Sequence, residues 1–311
     1  MVNTPLDGTG STDMNHMGVW IVSISALALA ACGEQTGNQN QQAEIAAPDD
    51  GAVLDAVLAG DHRSAEERAR DKYRHPKETL LFFEVTPEMS VVEIWPGGGW
   101  YTQVIAPYLK SGGGKYYAAG FSRDGASLRV ISALNAFEKD YVAHPEIYGD
   151  VKMTALGEMI APDGAVDVIL TFRNVHNWQS RNMAEDHFAE FYRALKPGGV
   201  LGVVEHRADG GTDLPHNGSS GYVYTDDVIQ LAEAAGFKFE AASEINANTR
   251  DTKDHPFGVW TLAPVRRSAK IRGRTDPDFD PAPYDAIGES DRMTLKFRKP
   301  AAPKPPAPLD Q

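Results

Sequence analysis

The sequence predicts an α/β fold, a doubly wound and mostly parallel sheet of seven strands with helices on both faces. Three observations carry this. Val166–Phe172 (VDVILTF) and Val200–Glu205 (VLGVVE) are continuous apolar runs, as strands buried on both faces require. Segments with helical spacing alternate with such runs along the chain. A glycine run, Gly97–Gly98–Gly99, follows directly on the short apolar strand Val91–Ile94, where an open α/β sheet keeps its ligand.

In chain order, helical patterning starts at Val53. Ser64 and Glu67 make a capping box opening a longer helical segment, which Pro76 should kink or split. After the strand at Val91, helices are expected over Trp100–Leu109, Gly125–Val142, Arg181–Leu195 and Thr225–Ala235. The remaining strands are expected at Lys115–Ala119, Val151–Leu156, Phe237–Ile245 and Met293–Phe297. One domain thus spans 53–299. Within it, 246–290 is a long Pro/Asp-rich insert or lid, with a basic knot at Arg266, Arg267, Lys270, Arg272 and Arg274. Residues 300–311 form a Pro-rich tail.

The 311 residues carry a net charge of −13, and no Lys or Arg precedes Arg63, so most of the excess acid lies at the amino end. A nucleic-acid footprint needs a basic face, so nucleic acid is not expected as a partner. A single cysteine excludes an internal disulfide and a cysteine-based metal cluster. Met17–Ala31 is an uncharged stretch too short to span a bilayer. It runs into Leu29–Ala30–Ala31–Cys32–Gly33, which resembles the bacterial lipoprotein processing box. The resemblance implies that 1–32 is a signal peptide, that Cys32 is lipidated, and that 33–52 is a disordered tether. The protein would then be an exported lipoprotein, membrane-bound only through that anchor. A cytoplasmic location is the alternative.

The glycine run fits neither a dinucleotide fingerprint, whose third glycine would fall on Thr102, nor a phosphate loop, since Gly114–Lys115 precedes Tyr116. No G-x-S-x-G nucleophile elbow is present. The segment Val91–Val92–Glu93–Ile94–Trp95–Pro96–Gly97–Gly98–Gly99–Trp100–Tyr101–Thr102 does resemble the first motif of class I S-adenosylmethionine-dependent methyltransferases. Asp167–Leu170 leading to Arg173–Asn174–Val175–His176 resembles that family's fourth strand and loop, and Phe191–Gly199 the helix and turn before its fifth strand. Arg74–His75–Pro76 and Gly258–Val259–Trp260 narrow the resemblance to an uncharacterised bacterial branch of exported methyltransferases. The resemblance implies a Rossmann-like methyltransferase fold that binds S-adenosylmethionine through Glu93, Gly97, Gly98 and Gly99, with Asp124, Glu158 and Asn174 as further contacts. Three departures stand out. Trp95 replaces the family's first glycine, Gly120 replaces the ribose-binding acid, and Ala155 stands where many members carry an acid at the adenine.

Methyl transfer needs alignment, a dry site and, for an oxygen or nitrogen nucleophile, a base. His176 lies just past the fourth strand, while Glu205 and His206 end the fifth, so these three are the catalytic candidates toward a small-molecule substrate. Two other readings stay open. One is a non-catalytic, ligand-binding lipoprotein on the same fold. The other is a metal-site enzyme gathering His176, Glu205, His206, His216 and His255, although no local ligand spacing supports it.

Overall fold

The computed structural model describes residues 49–209 and 211–301. The signal peptide with its lipoprotein box, the tether up to residue 48 and the tail beyond 301 lie outside the described residues. Among the described residues no helix is long and apolar enough to cross a membrane.

Nine strands form: β1 (Ser90–Ile94), β2 (Lys115–Gly120), β3 (Val151–Ala155), β4 (Val166–Phe172), β5 (Leu195–Ala208), β6 (Val223–Tyr224), β7 (Lys238–Ser243), β8 (Pro256–Val259) and β9 (Arg292–Arg298). The sheet order is β3-β2-β1-β4-β5-β9-β7, with β6 paired on the end of β5. All neighbours through β5 run parallel, and β9 runs antiparallel between β5 and β7. The three strands expected side by side at the centre, β1, β4 and β5, are so paired, and the expected last strand is β9.

Burial explains the order. On β4, Val168 and Leu170 enter one core while Ile169 enters the other. The first core packs the sheet under α1 (Asp50–Ala59), α4 (Pro76–Phe82), α5 (Thr102–Gly112), α6 (Leu128–Phe137) and α7 (Pro145–Tyr148), while the short α2 (Ala65–Arg68) and α3 (Asp71–Arg74) add no apolar side chain to it. The second packs it under α8 (Val175–Gln179), α9 (Ala184–Ala194) and α10 (Thr225–Ala234), with Trp178, Phe188, Phe191 and Phe237 fully enclosed. Each such side chain contributes about 1.5–3 kcal/mol.

Several boundaries differ from expectation. The tether was expected to run to residue 52, but helix α1 begins at Asp50, because the Asp49 carboxylate caps it by accepting from the Gly51 N–H at 3.3 Å. The Ser64–Glu67 capping box forms with both reciprocal bonds, yet α2 lasts one turn. Pro76 does not kink a helix. It takes the first position of α4, after His75 turns the chain through a left-handed conformation at φ 39°. The segment 246–290, expected as an insert or lid, contributes β8 and α11 (Ala282–Ile287) and is riveted to the body by buried polar groups. The Asp251 carboxylate accepts from Tyr222 Oη at 3.0 Å and from the Asp291 N–H at 2.8 Å. In the basic knot, Arg266 pairs with Asp285 on α11.

The glycine run shows where backbone freedom is needed. Gly99 has φ 80°, and a Cβ there would enter the Tyr141 ring, whose hydroxyl donates to the Gly98 carbonyl at 2.8 Å. Gly113, with φ 79°, faces open space. Gly99→Ala is expected to cost about 2–3 kcal/mol, whereas Gly113→Ala should cost only about 1 kcal/mol. Urea denaturation of the two variants measures the difference, which isolates the steric part from the conformational part.

Candidate functional site

The carboxyl ends of β1, β2 and β4 open on a cavity of about 290 Å³. Its walls are Trp95, Pro96 and Gly97 from the turn, Ala118, Gly120 and Phe121 from β2 and its exit, Val130, Ala133, Leu134 and Phe137 from α6, and Met153 from β3. Asn174, Asn177 and Arg181 complete the lining, and Arg181 is its only charged member. Trp95 takes a left-handed φ of 46° and stacks on Phe121 with ring centroids 4.3 Å apart. Its indole N–H is buried and has no acceptor.

The expected cofactor residues divide around this cavity. Gly97, at φ 60° with no atom near its Cβ position, lines it, and so does Asn174. The Asn174 amide donates to the Ile94 carbonyl at 2.9 Å, which ties the loop after β4 to the end of β1. Gly98 and Gly99 shape the turn without reaching the lining. Three of the expected residues lie outside this lining. Glu93 points from β1 toward α5, on the opposite face of the sheet from Ile94, and accepts hydrogen bonds from Tyr116 at 2.5 Å and Thr102 at 3.0 Å. Burial pushes its carboxyl up to about 7, against those two bonds and the charge of Arg173. Asp124 is exposed in the loop before α6. Glu158 is exposed beside Glu190 and Arg193, on a different depression. Sequence reasoning missed Phe121, Leu134, Phe137, Met153, Asn177 and Arg181. Only the Trp95 and Gly120 departures signalled that this site is walled by rings instead of acids.

The catalytic candidates do converge. His176, Glu205 and His206 place one ligand-type atom each within 4.8 Å of the others. Glu205 is fully buried at the end of β5, and both its oxygens are committed. Oε1 accepts from the His206 N–H at 2.8 Å and faces His176 Nδ1 at 3.1 Å, while Oε2 accepts from the His176 N–H at 3.3 Å. His176 Nε2 lies 3.0 Å from the Asn177 amide, so it accepts there, and its Nδ1 carries the hydrogen given to Glu205. His206 Nδ1 meets Ser290 Oγ at 2.5 Å. Burial, then His176 and the cations Arg292, Arg173 and Arg74, push the His206 imidazole well below its ordinary range, so it is neutral at physiological pH. Trp260 stands edge-on to His176 at 6.0 Å.

The five-residue metal cluster does not assemble. His216 is exposed and pairs with Asp227 at 2.9 Å, and His255 is held by Asp251 at 2.8 Å. The remaining three have metal-ligand spacing, but the arginines that depress the His206 pKa also oppose a further cation.

Residues 96–203, from the glycine turn into β5, match a family model described as a methyltransferase domain. No curated protein sequence matches the chain. The solved structure of the 4+2 cyclase SpnF is similar over 81% of this chain and 94% of that one, with a TM-score of 0.52 at 17% identity. A SAM-dependent methyltransferase from Aquifex aeolicus is similar over 64% of this chain and 94% of its own, with a TM-score of 0.45 at 19% identity. The chain has the Rossmann-like methyltransferase fold. The cyclase shows that this fold alone does not choose a reaction.

The raised pKa of Glu93 has a measurable consequence. Its folded value of about 7 exceeds the ordinary 4.5, so the stability it contributes is full below pH 4.5 and lost as pH rises through 7. That loss amounts to about 3 kcal/mol. Urea midpoints at pH 5 and pH 8 should therefore diverge more in the wild type than in Glu93→Gln. Equal divergence in the two proteins would show that Glu93 does not titrate in this window.

Proposed function

We propose that the protein is an S-adenosylmethionine-dependent methyltransferase acting on an oxygen or nitrogen nucleophile of a small molecule. One juxtaposition carries this reading. An apolar cavity at the glycine turn is walled by Asn174 and Asn177, and His176 reaches Asn177 from the adjoining Glu205–His206 cluster.

The lining suits the cofactor's adenosyl part, with Trp95 and Phe121 as flat apolar surfaces and the unpartnered Trp95 N–H as a donor. Arg181 suits the carboxylate of its amino-acid part. Gly120 offers the ribose no carboxylate, and one missing bond of that kind weakens binding by about 1.5–3 kcal/mol. When bound, S-adenosylmethionine supplies the methyl group for in-line displacement. His206 is the base. In the tautomer whose Nδ1 hydrogen goes to Ser290 Oγ, Nε2 keeps a lone pair and, among the described residues, has no hydrogen-bond partner. Glu205 and His176 are positioning residues. The carboxylate fixes the His206 backbone and the His176 tautomer, and His176 in turn holds Asn177 at the cavity wall.

The ringed cavity and the missing acid favour a second reading, a binding module on the same fold for another apolar or nucleoside-like ligand. Calorimetry of the full chain with S-adenosylhomocysteine decides between them. Binding is expected, tightened by roughly tenfold in Gly120→Asp. No heat at millimolar ligand with folded protein would leave the binding module. His206→Ala should lower release of S-adenosylhomocysteine by about 10²-fold or more, with cofactor heat unchanged. A chelator should leave turnover intact, and abolition by chelator would favour the three-ligand metal reading.

The proposal extends to location. A cysteine-bearing box directly after an uncharged stretch supports lipidation of Cys32 and export. S-adenosylmethionine is made in the cytoplasm and is charged, so an exported enzyme would depend on delivery of its donor. Cell fractionation with a Cys32→Ala control tests the anchor. Wild-type protein is expected with the membranes and the variant released. Wild-type protein soluble in the cytoplasm with an unprocessed amino terminus would refute export.

A further inference from the structure

We propose that the arginine cluster beside His206 binds an oxyanion of the substrate, a phosphate or a carboxylate, with Arg173 as the contacting residue. This deepens the methyltransferase reading and rests on it for the word substrate. The anion site itself stands on separate observations.

Three arginines donate to one carboxylate, and a fourth, Arg173, adds its charge to the same field. Glu289, almost fully buried, accepts from Arg70 Nε at 2.7 Å, from Arg74 Nε at 3.0 Å and from Arg292 Nη2. Burial would raise the Glu289 carboxyl, but Arg292, Arg74, Arg173 and Arg70 together hold it well below the carboxylate range. It is therefore a full negative charge facing four positive ones. Arg173, the fourth arginine, follows β4 at a left-handed φ of 63°, anchored by its N–H to the Val204 carbonyl at 2.7 Å. Among the described residues no hydrogen bond from its guanidinium is seen. Burial and the neighbouring Arg292 press its pKa down to about 10.

No other carboxylate answers the excess. Glu93 is spent on Tyr116 and Thr102, and Glu205 on His176 and two backbone N–H groups. The deficit shows in unmet donors as well. Arg74 and Arg292 are each 2% exposed, and Arg74 Nη1, Arg292 Nε and the buried Arg70 Nη2 all lack an acceptor. Trp100, with the Arg74 guanidinium 4.5 Å over its ring, offsets a part through its π face and supplies no lone pair. Unpaired cations at such depth are costly, and a planar guanidinium matches an oxyanion with two parallel N–H bonds. The location fits a substrate group. Arg173 follows β4 three residues before His176, and Arg292 is the register partner of His206 across β5 and β9. An anion held there would bring an attached nucleophile toward the free Nε2 of His206.

Calorimetry of the full chain with inorganic phosphate, and separately with acetate, tests the site. Phosphate or acetate should bind the wild type, and whichever binds more tightly names the group. Affinity should fall at least about tenfold in Arg173→Gln and recover in part in Arg173→Lys, which keeps the charge without the fork. S-adenosylhomocysteine heat should be the same in all three. Should Arg173→Gln not fold, the wild type and Arg173→Lys still decide. Absence of heat from both anions in folded wild type overturns the proposal, as does unchanged affinity in a folded Arg173→Gln. Anion binding without S-adenosylhomocysteine binding would remove the methyltransferase reading and leave the anion site, whereas the reverse result would remove only the anion site.

Discussion

A strand that buries both faces can satisfy its backbone only through neighbours on both edges, and Val166–Phe172 is such a strand. Its pairing with β1 on one side and β5 on the other sets the register of the sheet. It also fixes which loops meet. The chain leaves β1 at Trp95 and β4 at Arg173, and the last residues of β5 include Glu205 and His206, all at one end, because parallel strands share their direction. The glycine turn, the Asn174–Asn177 wall and the Glu205–His206 pair are neighbours as a consequence of that one buried strand.

Charge is distributed around this end in an uneven way. Two buried carboxylates organise it. Glu205 spends both oxygens on two histidines and their backbone, which fixes ring orientation without adding free charge. Glu289 gathers Arg70 at the start of α3, Arg74 on α3 and Arg292 on β9, and ties the amino-terminal helices to the last strand. Breaking a buried pair of this kind leaves an uncompensated charge, so both residues couple stability to the site. Burial and His176, and then the same arginines, push the His206 imidazole well below its ordinary range.

The cavity and the charged cluster divide the work that the fold makes available. The cavity is lined by rings and aliphatic side chains with a single cation, a surface that selects by shape and stacking. The cluster across the Asn177 wall holds two histidines on one carboxylate beside unpaired cationic donors. Trp95 and Gly120 alter the turn and strand end where the superfamily carries a glycine and an acid. Both changes leave the pairing of β1 with β2 and β4 intact.

The sequence by itself determined the architecture. Two continuous apolar runs, the alternation of helices with strands and a glycine turn after β1 specify a parallel sheet, because burial and backbone pairing are local in period and need no knowledge of distant residues. The convergence of His176, Glu205 and His206 was legible for the same reason, since His176 follows β4 on the first turn of α8 and the other two lie near the end of β5, on the side that the topology imposes. Only the tertiary structure decided which face each remaining side chain takes. Glu93 turns to α5 instead of the cavity because alternate residues of a strand point to opposite faces, and its neighbour Ile94 takes the other core. Asp124 and Glu158 lie in loops whose course depends on how α6 and α9 pack, which no pattern of spacing encodes. The arginines around Glu289 come from positions 70, 74, 173 and 292, and contacts that distant in sequence arise only when the sheet closes them together.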